Sequence, residues 1–315
     1  MSSLEDRLES LRLEARELAF NERNNSASIE KFEEALQEFE QGQYSPSRKA
    51  EILVDMAYPT RMESDNDAAR ALLDKAASFS EDGTFYTSGL IAEERAIIIN
   101  YSYKNEENKK EALQEALSQI NEALSKYELA QTNSSNEIRS IPEIQDKIKR
   151  ATGIKSVVYS NLAQITEDLE EKELYLSHSE RFALEEISLR EAADEVGKGI
   201  QNAYHTLGHS YVNSNRFNEA ESLLKRAVSA ANDQATEAVA AYLNYELAVN
   251  SYKQAGELQN NKTDEYVSEL MAEVDLLPPA WIEATKGEPG WNSIMEMASE
   301  ELKPRIEEFY AVLKK

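Results

Sequence analysis

The sequence predicts an all-α protein, a superhelix of about six stacked antiparallel helical hairpins with a C-terminal capping helix. Three features indicate this architecture. Apolar residues recur at steps of three and four along the chain, and no run alternates with the period of two typical of β-strands. Only 10 Gly and 7 Pro occur, and most lie between the apolar segments. The first helices of successive pairs begin about 40–50 residues apart, a spacing typical of helical-repeat arrays.

Each helix is predicted from its apolar stripe and, where one exists, from its starting signal. Ser45 followed by Pro46 marks a helix start. Ser140 and Glu143 form a capping box, with Pro142 in the first turn where its missing N–H costs no hydrogen bond. The predicted helices are 3–22, 27–42, 46–58, 65–79, 88–104, 107–129, 141–167, 170–186, 188–213, 217–231, 235–255 and 264–276, followed by a final helical region over 291–314.

The helix at 188–213 has the clearest predicted start. Ser188 and Glu191 form a second capping box ahead of an apolar stripe with alternating steps of four and three. The stripe consists of Leu189, Ala193, Val196, Ile200, Ala203 and Leu207. Further along the chain, the Pro- and Gly-rich loop 278–290 is the best domain boundary, so we expect a repeat domain over 1–277 and a loop with a capping segment over 278–315.

Composition excludes several classes of protein. The chain has 34 Lys+Arg against 59 Asp+Glu, and its net charge of −25 disfavours nucleic acid and anionic membranes as partners. It has no Cys, which excludes disulfide frameworks, thiolate metal sites and Cys nucleophiles, and fits a reducing compartment. The start of the sequence does not resemble a secretory signal, and no apolar stretch is long enough to span a bilayer. We therefore expect a cytoplasmic location.

One segment, residues 201–234, carries a recognisable pattern of large and small residues. Its first helix has Tyr204, Leu207, Gly208 and Tyr211, and its second helix has Phe217, Ala220, Leu224 and Ala227. This spacing resembles a tetratricopeptide repeat, and the resemblance implies a right-handed α-solenoid whose concave groove binds a protein or peptide. Gly208 and Ala220 are small where the two helices are expected to cross closely.

Two further segments fit the same spacing in part. From residue 50 onward, the matching residues are Leu53, Met56, Ala57, Ala69, Leu73 and Ala76. A later segment fits the first helix only, through Tyr245, Ala248, Val249 and Tyr252. Tyr58, Tyr101 and Tyr103 are weaker candidates for groove contacts.

Catalytic motifs are missing from the sequence. No phosphate-binding Gly-rich loop, nucleophile elbow or H-E-x-x-H motif occurs, so we expect neither enzymatic activity nor a cofactor. The chain has three His, at 178, 205 and 209. His205 and His209 lie four residues apart on one helix face, and three interpretations remain open: an ordinary solvated face, contact with a ligand, or two ligands of a metal site.

The resemblance also implies which residues would line the groove. In the matching repeat these are Asn202, His205, His209 and Val212, facing Glu246, Asn250 and Lys253 of the next repeat. Related proteins that clamp a peptide carboxylate use Lys, Arg and Asn at such positions. Here two His replace a Lys and an Asn, and Glu246 adds a negative charge, so a mixed or basic peptide is the expected guest.

The sequence therefore predicts a non-enzymatic protein- or peptide-binding scaffold. One alternative is a peptide-responsive regulator, in which a ligand changes the pitch of the superhelix. A second alternative is a metal-binding or enzymatic helical protein that uses His205 and His209. A third is a self-associating structural component.

Overall fold

The computed structural model describes residues 4–20, 24–42, 44–63, 65–80, 84–133, 140–213 and 216–230. Contacts divide the chain into two compact units, Met1–Phe182 and Ala183–Lys315, referred to below as unit 1 and unit 2. All regular structure in the described residues is helical, which confirms the predicted all-α class.

Unit 1 contains the longer series of helices. In chain order they are α1 (Leu4–Phe20), α2 (Asn25–Gln41), α3 (Pro46–Met62), α4 (Asn66–Ala77), α5 (Phe85–Ser102), a 3-10 turn (Tyr103–Asn105), α6 (Lys109–Thr132), α7 (Ile141–Ile165) and most of α8 (Leu169–Glu191). In unit 2 the end of α8 is followed by α9 (Lys198–Asn213) and α10 (Phe217–Ser229). The predicted helices up to residue 186 match these to within a few residues.

The helices of unit 1 pack as sequential hairpins. α1 packs on α2, α3 on α4 and α5 on α6, and the second helix of each pair packs on the first helix of the next. Between α7 and α8, the Ser156 hydroxyl donates to the Ser179 carbonyl oxygen at 2.8 Å, and the rings of Tyr159 and Phe182 stack 5.7 Å apart. This order of contacts is that of an α-solenoid. In unit 2, α9 packs on α10.

Helix starts follow from side-chain caps. Asn24, Asp65 and Asn108 accept hydrogen bonds from the amides of Ala27, Ala68 and Glu111 at the starts of α2, α4 and α6. The predicted capping box of α7 is present, since Ser140 accepts from the Glu143 amide and Glu143 accepts from the Ser140 amide at 2.9 Å. Such caps satisfy backbone N–H groups that have no partner within the helix.

The core of unit 1 contains the residues that carried the repeat spacing from residue 50. Leu53, Ala57, Ala69, Leu73 and Ala76 are at most 1% exposed, and they belong to one apolar cluster with residues of α5, α6 and α7. The small residues of α4 therefore allow α3 and α4 to approach closely.

The predicted helix start at Ser188 is wrong. α8 continues through Ser188 and ends at Glu191, and the non-helical connection to α9 covers residues 192–197. Two residues in this connection have left-handed backbone conformation, Asp194 (φ 49°) and Gly197 (φ 85°), which a helix cannot contain. Leu189 is 39% exposed and Val196 66% exposed, so the first half of the predicted stripe does not face a core.

Several predictions concern residues outside the described ranges. These are the helices at 235–255 and 264–276, the loop 278–290 and the final helical region. The sixth hairpin, the capping segment and the boundary after residue 277 stay predictions, as does the right-handed superhelix.

No helix in the described part of the chain is both long and apolar enough to cross a membrane.

Candidate functional site

The first helices of the hairpins in unit 1 form a layer of their own. α1 contacts α3, α3 contacts α5, and α5 contacts α7, whereas α2, α4 and α6 mainly contact the helices next to them in the chain. We call the layer of α1, α3, α5 and α7 the inner layer. Its helices also pack against the second helices, and charged residues come together where α1 meets α3 and where α5 meets α7.

α5 shows this most clearly, because it is buried nearly all round. Its apolar residues Leu90, Ile91 and Ile98 join the main core, yet Glu93 and Glu94 on the same helix are also buried, at 0% and 8% exposure. Buried carboxylates require partners, since an unpaired charge in such surroundings is costly. Their partners come from α6 and α7.

Glu93, Glu94, Tyr127 and Arg150 form what we call the α5–α7 cluster. Arg150 Nη1 lies 2.9 Å from Glu93 Oε1, and Nη2 donates to Glu94 Oε1 at 3.0 Å. The Tyr127 hydroxyl of α6 donates to Glu93 Oε2 at 2.5 Å. Burial raises the pKa of Tyr127 well above its ordinary value, and the charge of Glu93 raises it further. The cluster therefore places the Glu93 side chain between the Arg150 guanidinium and the Tyr127 hydroxyl.

Gly89 makes room for this cluster. A Cβ at position 89 would lie 2.6 Å from Tyr127 Cε1. Tyr127 cannot easily move away, because its hydroxyl is bonded to Glu93 and its ring lies 5.9 Å from that of Tyr86. A glycine is thus required here for packing rather than for backbone conformation.

Glu9, Arg12, Arg48, Glu51 and Asp55 form the α1–α3 cluster. Arg12 Nε donates to Asp55 Oδ2 at 2.6 Å, and its Nη1 lies 3.1 Å from Glu51 Oε2. Burial would raise the pKa of Asp55, but the charges of Arg12 and Arg16 outweigh it and lower the pKa. For Arg12, burial acts to lower the pKa, and Asp55 and Glu51 reverse this to give a raised value.

Lys147 of α7 interacts electrostatically with both clusters. The nearby charges of Glu93, Glu94 and Asp55 act to raise its pKa, but burial outweighs them, and Arg150 adds to the lowering. In the described part of the chain Lys147 takes part in no ion pair within 4.0 Å. It is therefore a half-buried cation that the fold only partly compensates.

The inner layer is locally close to neutral, unlike the whole chain. Its two clusters, with Arg16 and Lys147, contain five cations (Arg12, Arg16, Arg48, Lys147 and Arg150) and five carboxylates (Glu9, Glu51, Asp55, Glu93 and Glu94). The matching is expected, because buried charges of one sign alone would be strongly destabilising.

At the C-terminal ends of α3 and α5 the inner layer carries an exposed group of different chemistry. Tyr58, Arg61, Met62 and Tyr101 form what we call the tyrosine–arginine patch. The Arg61 guanidinium carbon lies 5.4 Å from the ring centre of Tyr58 and 4.6 Å from that of Tyr101. Met62 is 48% exposed and Tyr101 69% exposed. Tyr, Arg and Met are the side chains that protein interfaces favour.

A separate acidic cleft of about 570 Å³ lies between α4, α5 and α6, and its lining includes Glu107, Glu111 and Glu115. Its two arginines are both paired, Arg95 with Asp74 at 2.7 Å and Arg70 with Glu106 at 3.1 Å.

In unit 2 the residues that carried the repeat pattern meet between α9 and α10. Tyr204, Leu207, Tyr211, Ala220, Leu224 and Ala227 are buried, and a Cβ at Gly208 would lie 3.0 Å from Leu224 Cδ2. The side chain of Phe217 lies outside the described set. The close approach is thus between Gly208 and Leu224.

The predicted groove residues of unit 2 are only partly described. Asn202 is exposed and His205 is half-buried on α9. The side chains of His209 and Val212 are not described, and Glu246, Asn250 and Lys253 lie outside the described residues. The groove in unit 2 therefore stays a prediction.

A metal site was one of the alternatives for His205 and His209. In the described residues no three side chains of His, Asp or Glu are placed to hold an ion. His178 lies against an aromatic ring in unit 1, with its ring centre 5.0 Å from that of Tyr159.

A signal for the tyrosine–arginine patch exists in the sequence. The groove positions assigned to Asn202, His205, His209 and Val212 can be transferred to the repeat that begins at residue 50. They then fall on Glu51, Val54, Tyr58 and Arg61. Glu51 belongs to the α1–α3 cluster, and Tyr58 and Arg61 belong to the tyrosine–arginine patch. The ion pairs themselves have no such signal, because they join helices far apart in the chain.

Comparisons with known proteins give only distant similarities. No family model matches the chain, and no curated protein matches it. Among solved structures, BtubC (BKLC) from P. vanneervenii is similar at 16% identity, covering 87% of this chain and 92% of that one, with a TM-score of 0.49. Two structures of the nuclear import adaptor Nro1, one of them described as from S. pombe, are similar at 14% and 11% identity, covering 98% of this chain and 99% and 93% of theirs, with TM-scores of 0.43 and 0.41. Similarities this low assign neither a family nor a function to the chain.

Proposed function

We propose that this chain is a non-enzymatic scaffold that binds a protein or peptide segment along the inner layer of its helical hairpins. The observation that carries this proposal is the continuity of that layer. Corresponding helices of successive hairpins place charged residues side by side, and at the C-terminal ends of α3 and α5 the half-buried Arg61 lies with the exposed Met62 and Tyr101. A surface shared by successive repeats can receive a ligand longer than one repeat could hold.

The ion pairs of the inner layer support this role by fixing its side chains. Arg12 contacts two carboxylates of α3 and Arg150 two of α5, so they tie α1 to α3 and α7 to α5. A surface that is ordered before binding loses less conformational entropy when the ligand arrives. Binding then depends on a few anchoring contacts rather than on the total area buried.

Display of a random peptide library against the full chain tests the proposal. We expect enriched peptides that bind saturably and that lower the hydrogen-exchange rates of α3 and α5 amides more than those of α2 and α4. A selection that yields no saturable binder would contradict the proposal, as would binders that protect α2 and α4 instead.

The groove in unit 2 can be tested with the same peptides. The double variant His205→Ala with Asn250→Ala removes two of its predicted contacts. Unchanged affinity in this variant would show that the peptides bind away from the unit 2 groove. If this variant lost affinity and variants of the inner layer did not, the peptides would bind in the unit 2 groove instead.

A further inference from the structure

We infer that the tyrosine–arginine patch is a recognition site for a side-chain carboxylate, Asp or Glu, that a partner segment carries next to a large apolar side chain. This inference rests on the proposed function and names the chemistry of the ligand. It is argued from Arg61, whose surroundings differ from those of the other half-buried arginines.

Arg61 is held in place without a hydrogen-bonding partner. In the described part of the chain no carboxylate lies within ion-pair distance of it, and its buried Nε donates to nothing. Arg12, Arg48 and Arg190, which are also partly or fully buried, each contact at least two carboxylates. In a chain with 59 acidic and 34 basic residues, an unpaired half-buried arginine is unexpected.

The tyrosine rings explain how Arg61 stays ordered. A guanidinium near an aromatic face is attracted by the ring electrons, and both Tyr58 and Tyr101 lie within the range of this attraction. The Nε–H is buried, whereas the two terminal Nη groups have no hydrogen-bond partner in the described part of the chain. Those groups match the two oxygens of a carboxylate, which accept them as a parallel pair.

The exposed apolar side chains of the patch indicate that the ligand also carries an apolar group. Met62 and Tyr101 lie on different helices, α3 and α5, and both are about half exposed or more. A segment that places its carboxylate at Arg61 can therefore lay an apolar side chain on the exposed ring of Tyr101 next to it. This arrangement favours a carboxylate within the segment over one at its C-terminus. It also offsets the repulsion that the net charge of −25 exerts on an acidic partner.

Matched synthetic peptides test the inference. The probes are fluorescein-labelled peptides with Glu flanked by Leu and Phe, the same peptides with Gln in place of Glu, and both forms with amidated C-termini. Fluorescence anisotropy with the full chain should show the Glu peptides binding about tenfold more tightly than the Gln peptides, in amidated form as well. Equal binding of the Glu and Gln peptides would overturn the inference. A requirement for a free C-terminus would also overturn it.

Variants of the chain then show which residues are responsible for the preference for Glu over Gln. Arg61→Met and Arg61→Lys should remove most of the Glu preference, because Met has no donor and Lys lacks the paired N–H geometry. Tyr101→Ala should weaken binding of both peptides, and Tyr101→Phe should keep it. The control is Arg95→Gln, which removes an arginine paired with Asp74 in the acidic cleft and should leave the preference intact.

Thermal unfolding by circular dichroism shows whether each variant is folded. If Arg61→Met fails to fold, the exposed Tyr101→Ala variant still tests the patch. A Glu preference that survives in folded Arg61→Met overturns the inference. If the display selection yields binders but none depends on Arg61, the inference fails while the proposed function stands.

Discussion

Arg150 Nη1 on α7 lies 2.9 Å from Glu93 Oε1 on α5, and Glu93 is fully buried. This ion pair connects the first helices of two successive hairpins. A double-mutant cycle should therefore show coupling. We expect Arg150→Met and Glu93→Gln to destabilise the chain singly, with an interaction energy of about 1–3 kcal/mol from urea unfolding. Additive effects of the two substitutions would show that the pair does not hold the helices together.

Gly89 and Gly208 should respond differently to alanine. A helical Gly→Ala change gains about 0.5–1 kcal/mol from backbone propensity. At Gly89 the new Cβ would lie 2.6 Å from the ring of Tyr127, so we expect a net loss of about 1–3 kcal/mol in the free energy of unfolding. At Gly208 the nearest atoms belong to Leu224 at 3.0 Å, a flexible side chain, so the net effect should be within about 1 kcal/mol.

Urea titration of the two alanine variants, with Gly208→Leu as an overpacked reference, measures the difference. Gly208→Leu should cost about 1–3 kcal/mol or more. If Gly89→Ala proved as stable as the wild type, Tyr127 would have to be free to move, and the packing assigned to the α5–α7 cluster would be incorrect.

Asp55 should make the free energy of unfolding depend on pH in the acidic range. Its pKa is lower in the folded chain than the ordinary value of 3.8, because Arg12 and Arg16 outweigh the effect of burial. The unfolded chain therefore binds the proton more readily. The stability that Asp55 contributes is present above the ordinary value and is lost as the pH falls through the lowered folded value.

The comparison between wild type and Asp55→Asn isolates this contribution. The wild type should be the more stable at pH 7, and the difference in the free energy of unfolding should shrink as the pH is lowered from 5 toward 2. A difference that is constant over that range would show that the charge of Asp55 is not responsible.

Lys147 should be replaceable without loss of stability. Burial lowers its pKa despite the carboxylates nearby, so its charged form is disfavoured in the fold. Lys147→Met removes that charge and keeps an unbranched side chain that is one atom shorter. We expect the free energy of unfolding at pH 7 to rise by about 0.5–2 kcal/mol. The matched control is Lys110→Met, which removes a paired lysine (2.7 Å from Glu171) and should not stabilise. Destabilisation by Lys147→Met would mean that the ammonium is a needed member of the network.

The fold could be predicted from sequence because its signals are local. Apolar steps of three and four and the Ser140–Glu143 box depend only on neighbouring residues, and the helices up to residue 186 were predicted to within a few positions. The start at Ser188 was wrong because a Ser and a Glu three apart can also lie within a helix. The actual break depends on left-handed residues at Asp194 and Gly197.

The candidate site was harder to predict from the sequence than the fold. Arg12 and Asp55 are 43 residues apart, and Arg150 and Glu94 are 56 apart. With 59 acidic residues in the chain, no pattern selects these partners, and only the packing of helices brings them together. Tyr58 and Tyr101 were weaker candidates for groove contacts, and Arg61 could have been found too, since the groove spacing of residues 201–234 falls on it when it begins at residue 50.

Photo-crosslinking of a display-selected peptide to the full chain shows whether the inner layer is the binding surface. The peptide carries a photoactivatable leucine, and mass spectrometry locates the crosslinked residues. We expect crosslinks on the inner layer, concentrated near the C-terminal ends of α3 and α5 around Arg61 and Tyr101. Crosslinks confined to α2, α4 and α6, or to residues 198–255, would contradict this expectation.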